Sequence, residues 1–215
     1  MAKKIPYGLT DYLRIVTEDY YYVDKTRYIE DLEKTAAFLF LIRPRRFGKS
    51  LFLNMLYCYY DVRYADKFDE LFGNQYIGKH PTGEQGKYLV LYFNFSAVRG
   101  TGQALEDTFN SYAKIQMEAF ADQYASYFEP GFSQGIRELK SAASQLNYIG
   151  KRAGMLGLSI YLLIDEYDNF TNTILSSEGN NVYRALTHDS GFYRGFFNIV
   201  KAITTGPEAP VKRMF

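Results

Sequence analysis

The chain has 215 residues, of which 47% are hydrophobic and 23% charged, and its 25 basic and 24 acidic side chains leave a net charge of +1. This balance is typical of a globular domain with its own core, and it argues against a strong overall attraction to nucleic acid or to an anionic membrane. Cys58 is the only cysteine, so an internal disulfide is excluded and a reducing compartment is favoured. Neither a secretory signal pattern nor a membrane-spanning apolar run is present, and we therefore expect a soluble, cytoplasmic protein.

The first part of the chain is predicted to be mainly helical. Thr10 can cap a short helix over 11–17, because a hydroxyl at this position accepts a hydrogen bond from the first helical turn. Residues 20–23 are predicted to be extended, and apolar residues recur at helical spacing over 26–34. We treat 1–34 as a helical lead-in segment ahead of the main domain.

A phosphate-binding loop is the strongest motif of the sequence. Residues 36–42 are all apolar and predict a buried strand, and a helix is predicted from residue 51. Between them lies the octapeptide Arg43-Pro44-Arg45-Arg46-Phe47-Gly48-Lys49-Ser50. A strand, a loop ending Gly-Lys-Ser and a helix form a P-loop, in which backbone N–H groups hold phosphate, the lysine reaches the terminal phosphates and the serine holds Mg²⁺. Arg43 departs from the pattern, since it occupies the place of the first glycine.

The rest of the chain alternates helices with apolar strands. The further predicted elements, in order, are a helix over 61–72, a loop over 73–87, a buried strand over 88–95, a helix over 103–127, a helix over 136–153 interrupted at Gly150, and a strand over 158–164. Strands that are separated by helices of ten or more residues pair in parallel through helical crossovers. The sequence therefore predicts an α/β sheet. The 21 tyrosines and 17 phenylalanines are expected to pack in the interior.

The third strand ends in a pair of carboxylates, Asp165 and Glu166. In P-loop NTPases an aspartate at such a strand end helps to hold Mg²⁺, and a glutamate after it is suited to orienting and deprotonating a water molecule. Open α/β sheets bind ligands at the carboxyl ends of their strands, where the P-loop also lies. The alternative is that both side chains cap a following helix.

Several roles near these motifs stay open. Arg43, Arg45 and Arg46 either contact phosphate or pair with acidic residues and shape the loop, and a structural role is favoured only for Arg43. Phe47 is expected to be packed. The predicted nucleotide-binding residues are Arg45, Arg46, Phe47, Gly48, Lys49, Ser50 and Leu51.

Upstream of the P-loop, Asp24 and Lys25 either approach the base or ribose or cap a helix. Tyr22 is a weak candidate for stacking on adenine. Asp168 is expected to cap a helix or to support the metal site indirectly, rather than to bind the metal.

The motifs resemble those of the prokaryotic AAA-ATPase-like family over nearly the whole chain. The resemblance is carried by residues 20–26, the octapeptide 43–50, residues 165–168 and the segment 192–197. In this family an arginine at the first-glycine position is usual. The resemblance implies an AAA-type P-loop NTPase over 35–215, a three-layer sandwich with a mostly parallel central sheet, and in many members a following nuclease-like domain of the PD-D/E-x-K superfamily.

By the pattern of that family, Lys49 would act on phosphate and contribute to catalysis. Ser50 and Asp165 would bind Mg²⁺, and Glu166 would act on the water. Residues 211–215 are similar to the segment that opens the next strand, and no lid, sensor or nuclease signature occurs within the chain. We therefore expect a truncated domain that hydrolyses ATP slowly.

These observations predict an ATP-binding domain with Mg²⁺-dependent hydrolysis that regulates an attached effector domain. A nucleotide-dependent switch without useful turnover is the alternative, and a phosphotransferase is a weaker one. With 25 basic against 24 acidic residues, nucleic-acid binding by this segment has little electrostatic support.

Overall fold

A computed structural model describes residues 3–44, 46–167 and 191–215. The contacts divide the chain into two compact units, the first formed by Met1–Val90 with Arg213–Phe215 and the second by Leu91–Lys212. Among the described residues, no helix has both the length and the apolar character required to cross a membrane.

The first unit is built mainly from short helices. Their bounds are α1 Tyr12–Thr17, α2 Tyr28–Thr35, α3 Lys49–Tyr60, a 3-10 helix Val62–Lys67, α4 Phe68–Phe72 and α5 Tyr76–Lys79. The cap of α1 is Asp11, whose Oδ1 accepts a hydrogen bond from the Arg14 N–H at 3.1 Å. The prediction of Thr10 as the cap was wrong by one position, because the carboxylate of Asp11 is the side chain that reaches the free amide of the first turn.

Helix α5 lies inside the segment that was predicted to be a loop. The N–H groups of Tyr76 and Ile77 at its start donate to Asp24 Oδ2 at 2.7 Å and to Thr26 Oγ1 at 3.1 Å. The capping side chains, Asp24 and Thr26, lie about 50 residues before α5 in the sequence, so no local sequence pattern predicts this helix start.

The prediction of a buried strand over 36–42 was also wrong. The Leu39 N–H donates to the Met214 carbonyl at 3.0 Å, and Phe38 and Met214 form an isolated parallel bridge. The side chains of Phe38, Phe40 and Ile42 are 41%, 70% and 86% exposed. An apolar run can form either a central strand or a strand at the edge of a sheet. Its composition does not show whether other strands will pair with it on one side or on both.

The second unit contains most of the sheet. Its elements are β1 Leu89–Asn94, a 3-10 helix Phe95–Ala97, α6 Gly102–Gln123, a 3-10 helix Ala125–Tyr127, α7 Phe132–Glu138, α8 Ala142–Met155, β2 Ile160–Asp165, α9 Phe192–Thr204 and β3 Val211–Met214. The three strands form a parallel sheet in the order β1–β2–β3, and the boundary between the units passes through β1 and β3. Strands β1 and β2 confirm the predicted strands over 88–95 and 158–164.

Aromatic packing forms the core of the second unit. Phe93, Phe95, Phe109 and Phe196 are each at most 1% exposed. The ring of Phe109 lies 5.1 Å from Phe196 and 5.3 Å from Phe95 between centroids, and the Phe93 ring lies 5.6 Å from that of Phe196. These four rings pack in the interior, as the composition predicted, whereas other aromatic side chains such as Tyr7 and Phe40 are exposed.

Gly150 does not interrupt its helix, in contrast to the prediction, because α8 is continuous through it. A Cβ atom built on Gly150 would lie 2.3 Å from Ile203 Cγ2 of α9. The glycine permits a close approach of α8 and α9, so its role is in packing rather than in breaking the helix.

Replacing Gly150 with alanine is expected to lower the free energy of unfolding by about 1–3 kcal/mol, because a β-branched side chain in a helix cannot move aside easily. The measurement is urea unfolding followed by circular dichroism. Gly195→Ala is the matched control, since nothing lies within 4 Å of a Cβ at this position of α9. The control is expected to be neutral or stabilising by up to about 1 kcal/mol. Equal stabilisation by both substitutions would show that the contact with Ile203 is not tight.

Candidate functional site

The described residues 46–48, at the end of the octapeptide loop, have a backbone conformation that suits an anion. Arg46 and Gly48 have positive φ angles of 68° and 76°, and Phe47 between them does not. Alternation between left-handed and ordinary residues turns successive N–H groups toward one side, as in anion-binding nests. Arg46 holds this conformation although it is not a glycine, which is uncommon and typical of functional loops.

Helix α3 begins directly after this loop, at Lys49. Its first intrahelical hydrogen bond runs from the Phe52 N–H to the Gly48 carbonyl at 3.0 Å. The N–H groups of the preceding helical residues have no partner within the helix, and no side chain in the described parts of the chain caps this end. The loop and the helix start therefore present a set of amides to an anion, where the helix dipole also favours negative charge.

A cavity of about 270 Å³ lies at this loop within the first unit. Its lining residues are Lys25, Tyr28, Leu32, Leu41, Arg43, Phe47, Gly48, Lys49, Phe52 and Phe215. Three of them are basic and none is acidic, while most of the others are aromatic or aliphatic. The volume is close to the lower end of the range of about 300–1,000 Å³ that is usual for ligand pockets, so a larger ligand would be only partly enclosed. The cavity suits an anion that carries a flat or apolar group.

Aromatic rings provide the apolar part of the wall. The rings of Phe52 and Phe215 lie 5.8 Å apart between centroids, and Tyr28 and Phe47 are 49% and 61% exposed. The packing role that was expected for Phe47 is not seen, because most of its surface is open. Such rings offer faces on which a planar base can stack.

The predicted site residues around the cavity are distributed as follows. Arg43 and Arg46 are exposed, Ser50 and Leu51 are half-buried, and Arg45 lies outside the described residues. The ion pair that was favoured for Arg43 has no counterpart in the described part of the chain, where Arg43 lines the cavity instead. The individual roles of these residues in binding remain predictions.

Asp24 and Lys25 were each expected either to approach the base or ribose or to cap a helix, and the structure places them differently. Asp24 Oδ1 accepts hydrogen bonds from the N–H and the hydroxyl of Thr26 at 2.8 Å and 2.7 Å, and its Oδ2 accepts from the Tyr76 N–H at 2.7 Å. Both oxygens of Asp24 are therefore used in a local turn and in capping α5. Lys25, by contrast, is exposed and lines the cavity.

Tyr22 is a packing residue rather than a surface for adenine. Its ring lies 5.3 Å from that of Tyr12 in an edge-to-face arrangement, and its hydroxyl donates to Met55 Sδ at 3.4 Å. Cys58 is buried as well, and burial raises the pKa of its thiol to about 12. The thiol therefore stays protonated and is not a nucleophile at neutral pH.

Sequence reasoning missed much of the cavity wall. Tyr28 and Leu32 are four residues apart on α2, and this spacing would have indicated a shared helix face. Phe52 follows the P-loop lysine by three residues and faces the same cavity. No local signal points to Phe215, which is more than 160 residues further along the chain.

In the second unit, Asp165 ends β2 with its side chain buried, at 3% exposure. Its Oδ1 accepts a hydrogen bond from the Glu166 N–H at 3.0 Å, and its Oδ2 accepts from the Tyr92 hydroxyl at 3.4 Å. Burial, and secondly the charge of Asp165, raise the pKa of Tyr92. Across the described ranges no basic side chain lies within 4.0 Å of this carboxylate. The role of Asp165 as a metal ligand remains a prediction.

Glu166 follows in the left-handed region, with φ 54°. A non-glycine residue in this conformation carries a backbone cost of about 1–3 kcal/mol, and such residues concentrate at functional sites. The alternative, in which Asp165 and Glu166 cap a helix, concerns residues after Tyr167 that lie outside the described ranges. Asp168 lies outside them as well.

The described residues include oxygen donors of the kind that Mg²⁺ binds in proteins. In the described parts of the chain, no group of three or more His, Cys, Asp or Glu side chains could hold a metal ion. Mg²⁺ does not require such a group, because it commonly binds through one or two carboxylates together with the phosphates of a ligand. The Asp165 carboxylate of the second unit is a donor of this kind, and the Ser50 hydroxyl of the first unit is another oxygen donor. Their roles as metal ligands remain predictions.

A tight turn before a helix and a small parallel sheet make this an α/β protein whose architecture is consistent with a P-loop-like fold. The chain belongs to the AAA-ATPase-like family, described as a predicted AAA-ATPase, whose family model matches residues 6–214. Over 171 residues it is 51% identical to an "Uncharacterized protein in vnfD 5'region" of Azotobacter chroococcum mcd 1. The match covers 77% of this chain and 29% of that protein, so the chain spans less than a third of this relative's length. No solved structure was found to match.

Proposed function

We propose that the chain binds ATP in the cavity at the phosphate-binding loop. The observation that carries the proposal is the combination of three basic side chains, an uncapped helix start and aromatic walls around one cavity. Lys49 and the amides of residues 46–51 bind the phosphates, and the rings of Tyr28, Phe52 and Phe215 hold the base. Membership of a predicted AAA-ATPase family supports nucleotide binding in general.

We further propose Mg²⁺-dependent hydrolysis of the bound ATP. By the family pattern, Ser50 and Asp165 are the proposed ligands of the metal, which would neutralise the charge that develops on the phosphates. Glu166 orients the attacking water and accepts its proton. The burial of the Asp165 carboxylate, which accepts hydrogen bonds from the Glu166 N–H and the Tyr92 hydroxyl, and the left-handed backbone of Glu166 support these roles.

The same proposal includes regulation of an attached effector domain by the nucleotide state. The relative from Azotobacter is more than three times as long as the matched region, which leaves space in that protein for further domains.

Phosphate release in the presence of ATP and Mg²⁺ tests the hydrolysis. We expect Glu166→Gln to lower the rate of release by about 100-fold or more while the affinity for ATP is retained, because general-base groups contribute about 10²–10⁴-fold to such reactions. Glu138→Gln, at an exposed position of the second unit, is the matched control for the loss of one carboxylate. Equal release near background from all three proteins, with ATP bound, would favour the switch without turnover.

A further inference from the structure

Hydrogen bonds of Lys25 and of its two neighbours in the sequence hold the backbone of this segment in place. The Tyr28 N–H donates a hydrogen bond to the Lys25 carbonyl at 3.2 Å. The residues before and after it, Asp24 and Thr26, are bonded to each other and to the start of α5. Thr26 is fully buried, at 0% exposure. The segment is therefore held in place without any help from the side chain of Lys25.

The ammonium group of Lys25 has no acidic partner within the described ranges. Ion pairs do occur nearby on the same unit, where Lys34 Nζ lies 3.3 Å from Glu30 Oε2. Lys25 instead lines the cavity together with Arg43 and Lys49, and no carboxylate contributes to that lining. Three positive charges around a cavity of about 270 Å³ repel one another, and this repulsion is relieved when a ligand brings several negative charges.

We propose that Lys25 is a second phosphate-binding lysine of this cavity, and that the site selects nucleotides by their number of phosphates. The inference rests on the proposed function, because it assigns Lys25 to the same ligand as Lys49. Asp24 and Thr26 are positioning residues that hold Lys25 at the cavity. Since the contact is electrostatic, its contribution grows from AMP to ADP to ATP.

The test is calorimetric titration of the full chain with ATP, ADP and AMP. We expect Lys25→Met, which keeps the length of the side chain and removes the charge, to weaken ATP binding by about five- to twentyfold. The loss for ADP is smaller, and that for AMP is less than about twofold. Lys25→Arg retains most of the affinity because it keeps the charge. Lys34→Met, a lysine of the same unit that does not line the cavity, leaves all three affinities unchanged.

The outcomes separate this inference from the proposed function. If the wild-type chain binds none of the three nucleotides, both are overturned. If it binds ATP and Lys25→Met binds ATP equally well, only the role of Lys25 is overturned. An equal loss for ATP, ADP and AMP would also overturn selection by phosphate number, because Lys25 would then contact a group that all three share: the base, the ribose or the α-phosphate. Thermal unfolding of Lys25→Met should match that of the wild type, since its side chain takes no part in the bonds of Asp24 and Thr26.

Discussion

Replacing Lys49 with alanine is expected to weaken ATP binding by about 100-fold, since hydrogen bonds to charged groups contribute up to about 3 kcal/mol each. Lys49 is the first residue of α3 and lines the cavity, so its ammonium group and the free amides of the helix start act on the same phosphates. The measurement is calorimetric titration with ATP, compared between the variant and the wild type.

The matched control for this experiment is Lys67→Ala. Lys67 is an exposed lysine of the first unit that does not line the cavity, so its removal changes the net charge equally. We expect the affinity of Lys67→Ala for ATP to stay within about twofold of the wild type, because dissolved salt screens the interaction between a distant surface charge and the ligand. Equal losses in both variants would mean that overall charge, rather than the loop, governs binding.

Replacing Phe196 with alanine is expected to lower the free energy of unfolding by about 3–5 kcal/mol, which is typical of removing a buried phenylalanine. Phe196 is 1% exposed and lies edge-to-face against Phe93 and Phe109 at centroid distances of 5.6 Å and 5.1 Å. Its removal deletes these contacts and leaves a cavity between α9 and the sheet. Chemical denaturation gives the measurement, and Phe196→Leu should recover part of the loss.

Ile115→Ala is the control for this second prediction. Ile115 lies on α6 with 62% of its surface exposed, so the substitution should cost less than about 1 kcal/mol. A loss below 1 kcal/mol for Phe196→Ala as well would show that the four rings do not form a tightly packed core.

The sequence predicted those parts of the fold that depend on local pattern. Residues 88–95 and 158–164 are long apolar runs with β-branched and aromatic residues, and β1 and β2 form there. Helix α6 has apolar residues at helical spacing over six turns, and this periodicity was sufficient to predict it. In each case the apolar residues within the element itself determine which side of it is buried.

The errors arose where distant residues decide the structure. Helix α5 depends on caps from Asp24 and Thr26, and the role of Gly150 depends on Ile203 of another helix. The backbone of the apolar run over 36–42 forms hydrogen bonds with Met214, and most of the side chains of this run stay exposed. No window of neighbouring residues contains this information.

The sequence predicted only the part of the candidate site that lies in a local motif. Gly48, Lys49 and Ser50 are recognisable because phosphate binding by backbone requires a particular short motif. Lys25 and Phe215 reach the cavity only through folding, and the sequence left the role of Lys25 undecided. The carboxylates at the end of β2 were found from their position after a strand, and their catalytic roles remain proposals.

The central claim is that the cavity at the phosphate-binding loop holds a nucleoside triphosphate. The most direct measurement is a crystal structure of the chain with a non-hydrolysable ATP analogue and Mg²⁺. We predict phosphate oxygens within hydrogen-bonding distance of the amides of residues 48–51 and of Lys49 Nζ, with the base against the rings of Tyr28, Phe52 or Phe215. A nucleotide bound with its phosphates away from Gly48 and Lys49 would contradict the account.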